Sequence, residues 1–129
     1  MDRKKLIKLA AAARLRARTF SGFHVGAALL AASGEIITGC NVEIQSTRSS
    51  ICAERAALVR AVAMGCSRFE AVAVVSDAAH PVSPCGFCRQ YLIDFNPDMR
   101  VIMANADGSE VMEMTARELL PMPFIVGDV

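Results

Sequence analysis

The sequence predicts an α/β fold in which a mixed sheet of about five strands is sandwiched between layers of helix. Three observations carry this. Segments with helical spacing alternate with short apolar runs. One of those runs, Ala71-Val72-Ala73-Val74-Val75, is apolar without a break, as in a strand covered on both faces. No repeat, low-complexity stretch or linker divides the 129 residues, so a single domain spanning residues 1–129 is expected.

The elements follow in order. Residues 2–18 read as helix because Leu6, Leu9, Ala10, Ala13 and Ala17 recur at helical spacing. Phe23 to Ala32 is a long apolar strand ended by Ser33-Gly34, and residues 35–40 form the returning arm of a hairpin. Residues 41–51 lack a clean period and read as loop. Cys52 to Met64 is helical, with Gly65 placed to end it. The 71–75 strand is followed by a turn-rich stretch to Pro84, then by a helix from Cys85 to Phe95 that stops before Pro97. Residues 101–104 and 111–114 are strands joined through Asp107-Gly108. Thr115 and Glu118 form a capping-box pattern for a last helix through Leu120, which Pro121 and Pro123 prevent from continuing.

Composition removes several function classes. Hydrophobic residues make up 53%, charged residues 21%, and the net charge is +1, without the basic excess of a nucleic-acid-binding surface. No stretch approaches the ~20 apolar residues that cross a bilayer. Arg14, Arg16 and Arg18 break the basic start too early for a secretory segment. A soluble, cytoplasmic protein acting on a small, near-neutral molecule is expected, with neither nucleic acid nor membrane as partner. The five cysteines are an odd number without a secretion signal, which points to metal or buried thiols rather than disulfides.

The chemistry is concentrated in Cys52-Ala53-Glu54 and Pro84-Cys85-Gly86-Phe87-Cys88. Cys52, Cys85 and Cys88 supply three thiolates, and three protein ligands leave a fourth position on zinc open to water. Cys52 and Cys85 each open a helix, where the partial positive charge of the N-terminus favours thiolates. Glu54 reaches the open position rather than the metal, where a carboxylate can take a proton from water and pass it on. Arg55 and Arg89 supply positive charge beside the thiolates. Open zinc with a proton-carrying carboxylate fits hydrolytic deamination of an amidine-like carbon. A closed structural zinc with a fourth ligand from Cys40, Cys66, His24 or His80, or a zinc-stabilised binding protein without catalysis, are the alternatives; the presence of Glu54 argues against the second.

The pattern is a zinc-deaminase signature, and from Phe23 to Phe124 the chain resembles the small zinc-dependent cytidine deaminases. The resemblance is carried by Phe23-His24-Val25-Gly26-Ala27-Ala28, Gly39-Cys40-Asn41-Val42-Glu43, Cys52-Ala53-Glu54-Arg55, Ser83-Pro84-Cys85-Gly86-Phe87-Cys88-Arg89-Gln90 and Glu118-Leu119-Leu120-Pro121. It implies a three-layer α/β/α sandwich, one Zn²⁺ per subunit on Cys52, Cys85 and Cys88, and Glu54 as proton shuttle. It also implies that Phe23 packs beside the nucleoside, Asn41 and Glu43 bind ribose, and the Ala53 backbone reads the pyrimidine edge. Arg55 would donate to the zinc-bound sulfurs. Phe124 would reach a neighbour's site in a homotetramer with composite active sites.

One departure bears on the substrate. Where the family usually continues Asn-Ala-Ser/Ala-Tyr after Asn-x-Glu, this chain has Ile44-Gln45-Ser46-Thr47-Arg48, and Thr47 replaces the tyrosine. Cytidine and 2′-deoxycytidine are the expected substrates. A blasticidin-S-like or N4-modified aminopyrimidine nucleoside is the alternative.

Overall fold

The computed structural model describes residues 1–127. Its chain order is α1 (Arg3–Arg14), β1 (Val25–Ala31), β2 (Ile36–Cys40), α2 (Ala53–Ala63), β3 (Phe69–Ser76), α3 (Gly86–Phe95), β4 (Arg100–Ala104), β5 (Val111–Thr115) and α4 (Ala116–Leu119). The strands form one sheet in the order β2-β1-β3-β4-β5. Only β3 and β4 run parallel, joined through α3, so the sheet is mixed as expected.

Alternation along the strands builds the layers. Ala28, Ala71, Ala73, Val75, Ile102 and Ala104 face one way and bury Leu6 and Ala10 of α1. Ala27, Leu29, Val72, Val74, Val101 and Met103 face the other way, against α2 (Ala57, Leu58, Ala61), α3 (Leu92, Ile93) and α4 (Ala116, Leu119). The sandwich therefore has α1 alone on one face and the other three helices opposite. Small residues dominate the α1 side, and the helix sits correspondingly close to the sheet.

Two glycines set the distance of the helices from the sheet. A Cβ on Gly26 of β1 would lie 1.9 Å from Ala10 O and 2.5 Å from Arg14 N, so α1 rests backbone-to-backbone on the strand. A Cβ on Gly39 of β2 would lie 2.5 Å from Ala57 N and 2.7 Å from Ala53 O, which brings the first turn of α2 onto the opposite face.

Several boundaries differ from the sequence reading. The first helix ends at Arg14, not residue 18, because Arg18 pairs with the 41–43 segment: its N–H donates to Asn41 O and its C=O accepts from Glu43 N. The first strand begins at Val25, leaving Phe23 outside it. The central strand is longer than 71–75, since β1 pairs with it from Phe69 to Ser76. Within 41–51, Thr47–Ser49 forms a single 3-10 turn and Val42 bridges Ile51. The capping box on Thr115 and Glu118 forms as expected. No helix among the described residues is long and apolar enough to cross a membrane.

Candidate active site

α2 and α3 begin beside one another, and their N-cap residues are Cys52 and Cys85. Neither side chain caps its own helix, so both sulfurs are free to turn to a shared point. Cys88, buried one turn into α3, completes the group, and all three sulfurs lie within 4.8 Å of one another. Cys52 Sγ and Cys85 Sγ stand 3.7 Å apart. Tetrahedral zinc with Zn–S near ~2.3 Å spaces its sulfurs by ~3.8 Å, so the thiols fit one shared ion. None of Cys40, Cys66, His24 or His80 joins the cluster. His24 faces Asp77 and the exposed His80 faces Glu110 instead, so no fourth ligand closes the site among the described residues.

Glu54, in the first turn of α2, is only 4% exposed. Burial, and secondarily the neighbouring Cys52 charge, push its carboxyl up to about 7, where it can both accept and release a proton near neutral pH. Cys52 is lowered to about 5, first by pairing with the Cys88 thiol and then by the Arg55 guanidinium. Cys88 is pushed up by the same pairing and by its burial. Arg55 Nη2 donates to Cys52 Sγ at 3.4 Å, and the guanidinium lies over the rings of Phe87 and Tyr91. The site thus favours one thiolate before any cation is considered.

Of these groups Cys52, Glu54 and Cys85 form part of the wall of a cavity of about 290 Å³, also lined by Phe23, Val25, Asn41, Glu43, Ser50, Ile51, Ala53, Val74, Ser76, Val82 and Ser83. That volume is near the lower end of the ~300–1,000 Å³ typical of small-molecule sites. Phe23 is 40% exposed and lines the cavity. Asn41 Nδ2 donates to Phe23 O at 2.9 Å while its Oδ1 accepts from Val25 N at 2.8 Å. The Glu43 carboxylate accepts from Ser21 N, Phe20 N and Ser21 Oγ, and these hydrogen bonds hold it down to about 2. Asn41 and Glu43 are therefore built into the wall as well as facing the cavity.

The loop carrying Cys85 is braced by Arg89, which donates to Pro84 O, Ser83 Oγ and Leu119 O. Arg55 contacts the thiolates and Arg89 does not; its charge serves the loop and the end of α4. Beyond α4, Gln90 Nε2 donates to Phe124 O, but the Phe124 ring is 78% exposed and lies outside this chain's cavity.

Residues 1–105 match the family model described as the cytidine and deoxycytidylate deaminase zinc-binding region. The chain belongs to this family. A cytidine deaminase of Sporosarcina psychrophila is 45% identical over 131 residues, covering 100% of this chain and 96% of that protein. The crystal structure of cytidine deaminase from Burkholderia pseudomallei superposes with a TM-score of 0.92 at 41% identity, covering 96% of this chain and 100% of that one. A blasticidin-S deaminase of Bacillus cereus is 33% identical over 112 residues, covering 78% of this chain and 76% of that protein. The family is a zinc-binding one, and the Cys52, Cys85 and Cys88 cluster is the place in this chain where the metal can be held.

The sequence reading missed several parts of the deaminase cavity. Ser50, Ile51, Val74, Ser76 and Val82 line it, and Asp77 sits just behind it. Ser50 and Ile51 were legible only as the end of a patternless loop. Val74 reads as ordinary core, which it also is, because a buried strand residue gives no local sign that it borders a cavity.

Proposed function

We propose that the protein catalyses hydrolytic deamination of cytidine and 2′-deoxycytidine to uridine and 2′-deoxyuridine with release of ammonia, as a step of pyrimidine salvage. The observation that carries this is the buried Glu54 carboxylate beside a three-thiol cluster, with Glu54, Cys52 and Cys85 lining one small cavity. Zinc, when bound by Cys52, Cys85 and Cys88, supplies a Lewis acid that acidifies water at its open position. Glu54 takes the proton from the attacking water and gives it to the ring nitrogen. It then carries a second proton from the added hydroxyl to the departing amine. Its pKa near 7 suits both directions of transfer.

The remaining residues bind and orient. Phe23 packs against the nucleoside, Ala53 presents its backbone to the pyrimidine edge, and Glu43 and Asn41 accept from ribose hydroxyls. Asn41 retains an acceptor site for this, because its Oδ1 has two lone pairs and Val25 uses one. Arg55 offsets the negative charge of three thiolates. The exposed Phe124 completes the site of a neighbouring subunit in a homotetramer, and each chain folds as one domain in the cytoplasm.

A second reading, deamination of a blasticidin-S-like nucleoside, is favoured by the likeness to the Bacillus cereus protein and by the 44–48 segment, which carries no aromatic side chain. Steady-state ammonia release on cytidine, deoxycytidine and blasticidin S decides between them. The proposal expects efficient turnover of the first two; rapid blasticidin S turnover with negligible cytidine turnover would replace it.

A further inference from the structure

The peptide linking Phe23 to His24 is held at both ends. Its oxygen accepts from Asn41 Nδ2, and its N–H donates to Asp77 Oδ2 at 2.8 Å. The N–H of Phe23 itself donates to Ser21 Oγ, which Glu43 holds in turn. Asn41, Ser21 and Glu43 all belong to the segments around the cavity rim. Asp77 directly follows Ser76, the last residue of β3 and part of the lining, but is not itself in the lining.

Asp77 also reaches a different layer of the fold. Its Oδ1 accepts from Arg14 Nη1 at 2.6 Å, and Oδ2 accepts from the His24 ring through Nδ1 at 2.6 Å. Arg14 ends α1, the helix packed on the sheet face opposite the cysteines. Gly26 permits this contact, since any Cβ there would strike Ala10 O and Arg14 N and lift the helix away. A chain of contacts therefore runs from α1 through Arg14 and Asp77 to the backbone of Phe23.

We infer that Asp77 is a positioning residue for the cavity, fixing the Phe23–His24 peptide against α1 and so setting where the Phe23 ring stands for the substrate. Asp77 touches neither substrate nor the thiol cluster. Its effect passes through Phe23, so it acts on binding rather than on the Glu54 proton transfers. The inference rests on the nucleoside-deaminase reading for its kinetic readout, and a second readout is independent of substrate.

The test is a double-mutant cycle in the full-length, zinc-loaded protein. Asp77→Ala is expected to raise the cytidine KM roughly three- to tenfold, the effect of one lost hydrogen bond, with kcat changed less. Because Asp77 acts through Phe23, Asp77→Ala combined with Phe23→Ala is expected to have a KM no higher than Phe23→Ala alone. Multiplying effects, or an unchanged KM in Asp77→Ala, would overturn the inference. Asp77→Asn retains an acceptor for the His24 N–H without the charge facing Arg14. It covers the case in which Asp77→Ala does not fold, and an intermediate KM is expected.

The chain has no tryptophan, so Phe23→Trp places a single reporter at the position in question. Adding Asp77→Ala to that variant is expected to increase acrylamide quenching of its fluorescence. Equal quenching in the two proteins would refute the positioning role. Increased quenching in a protein whose wild type leaves cytidine untouched would instead refute the substrate reading alone.

Discussion

Arg55 Nη2 donates to Cys52 Sγ at 3.4 Å while its guanidinium carbon stands 5.5 Å from the Phe87 ring centroid and 5.9 Å from that of Tyr91. The two aromatic rings fix a cation whose partner is a thiolate, and Arg55 Nε is buried without a hydrogen-bond partner among the described residues. So placed, the arginine would draw charge from the sulfur and so strengthen the Lewis acidity that zinc held by these cysteines would supply. Arg55→Ala is expected to retain the fold and lower kcat or zinc affinity by roughly 10–100-fold, the usual cost of losing a group that supports a metal ligand. Activity and bound zinc measured together check this.

Glu54→Gln removes the ionisable carboxyl while keeping the shape of a buried side chain. The expected result is bound zinc as in the wild type and kcat down by about 10²–10⁴-fold or more. Full activity in a zinc-loaded Glu54→Gln protein would end the proton-shuttle assignment.

Phe124→Ala is expected to raise the cytidine KM by roughly tenfold while the melting temperature stays close to wild type, since the ring is 78% exposed in one chain and contributes little to its core. Sedimentation at assay concentration tests the same idea from the other side: a fully active monomer would exclude a composite site.

Gly39→Ala places a Cβ against the backbone of α2, 2.5 Å from Ala57 N. Backbone cannot rotate away as a side chain can, so the helix must shift. A loss of about 1–3 kcal/mol is expected, with weakened zinc binding because Cys52 and Glu54 ride on that helix. Denaturant unfolding and metal titration report the two effects separately.

Acid is expected to destabilise the protein through carboxylates held by native hydrogen bonds. Glu43 is lowered to about 2 by the Ser21 and Phe20 groups, and Glu113 is lowered by Arg3 and then Arg100. At Asp77 burial opposes ionisation, but hydrogen bonds from His24 and Arg14 outweigh it and lower the pKa. Each group binds its proton more weakly folded than unfolded. Their contribution is therefore complete above the unfolded pKa of roughly 4 and is lost as pH falls through each folded pKa, which for Glu43 is about 2. Thermal melts between those limits measure it, and Glu43→Gln is expected to flatten the profile.

Much of this was legible in sequence because it is local. Cys52, Glu54, Cys85 and Cys88 lie in two short motifs, and each motif opens a helix whose start is marked by its own residues. The capping box at Thr115 and Glu118 is likewise a pattern four residues long. Spacing misled where distant pairing intervened. Ala17 continues the period of the first helix, yet Arg18 is taken up by hydrogen bonds to Asn41 and Glu43. Phe69 and Ser76 join the central strand because Ala31 and Val25 pair with them.

The sequence by itself singled out the three cysteines that cluster and the glutamate beside them, since both lie in short motifs. Tertiary structure alone decided how the cavity wall is held. Asp77 meets the His24 backbone across 53 residues and Arg14 across 63, and Asn41 meets Phe23 across 18. Such contacts exist only once the sheet register and the close approach at Gly26 are set, and no local pattern records them.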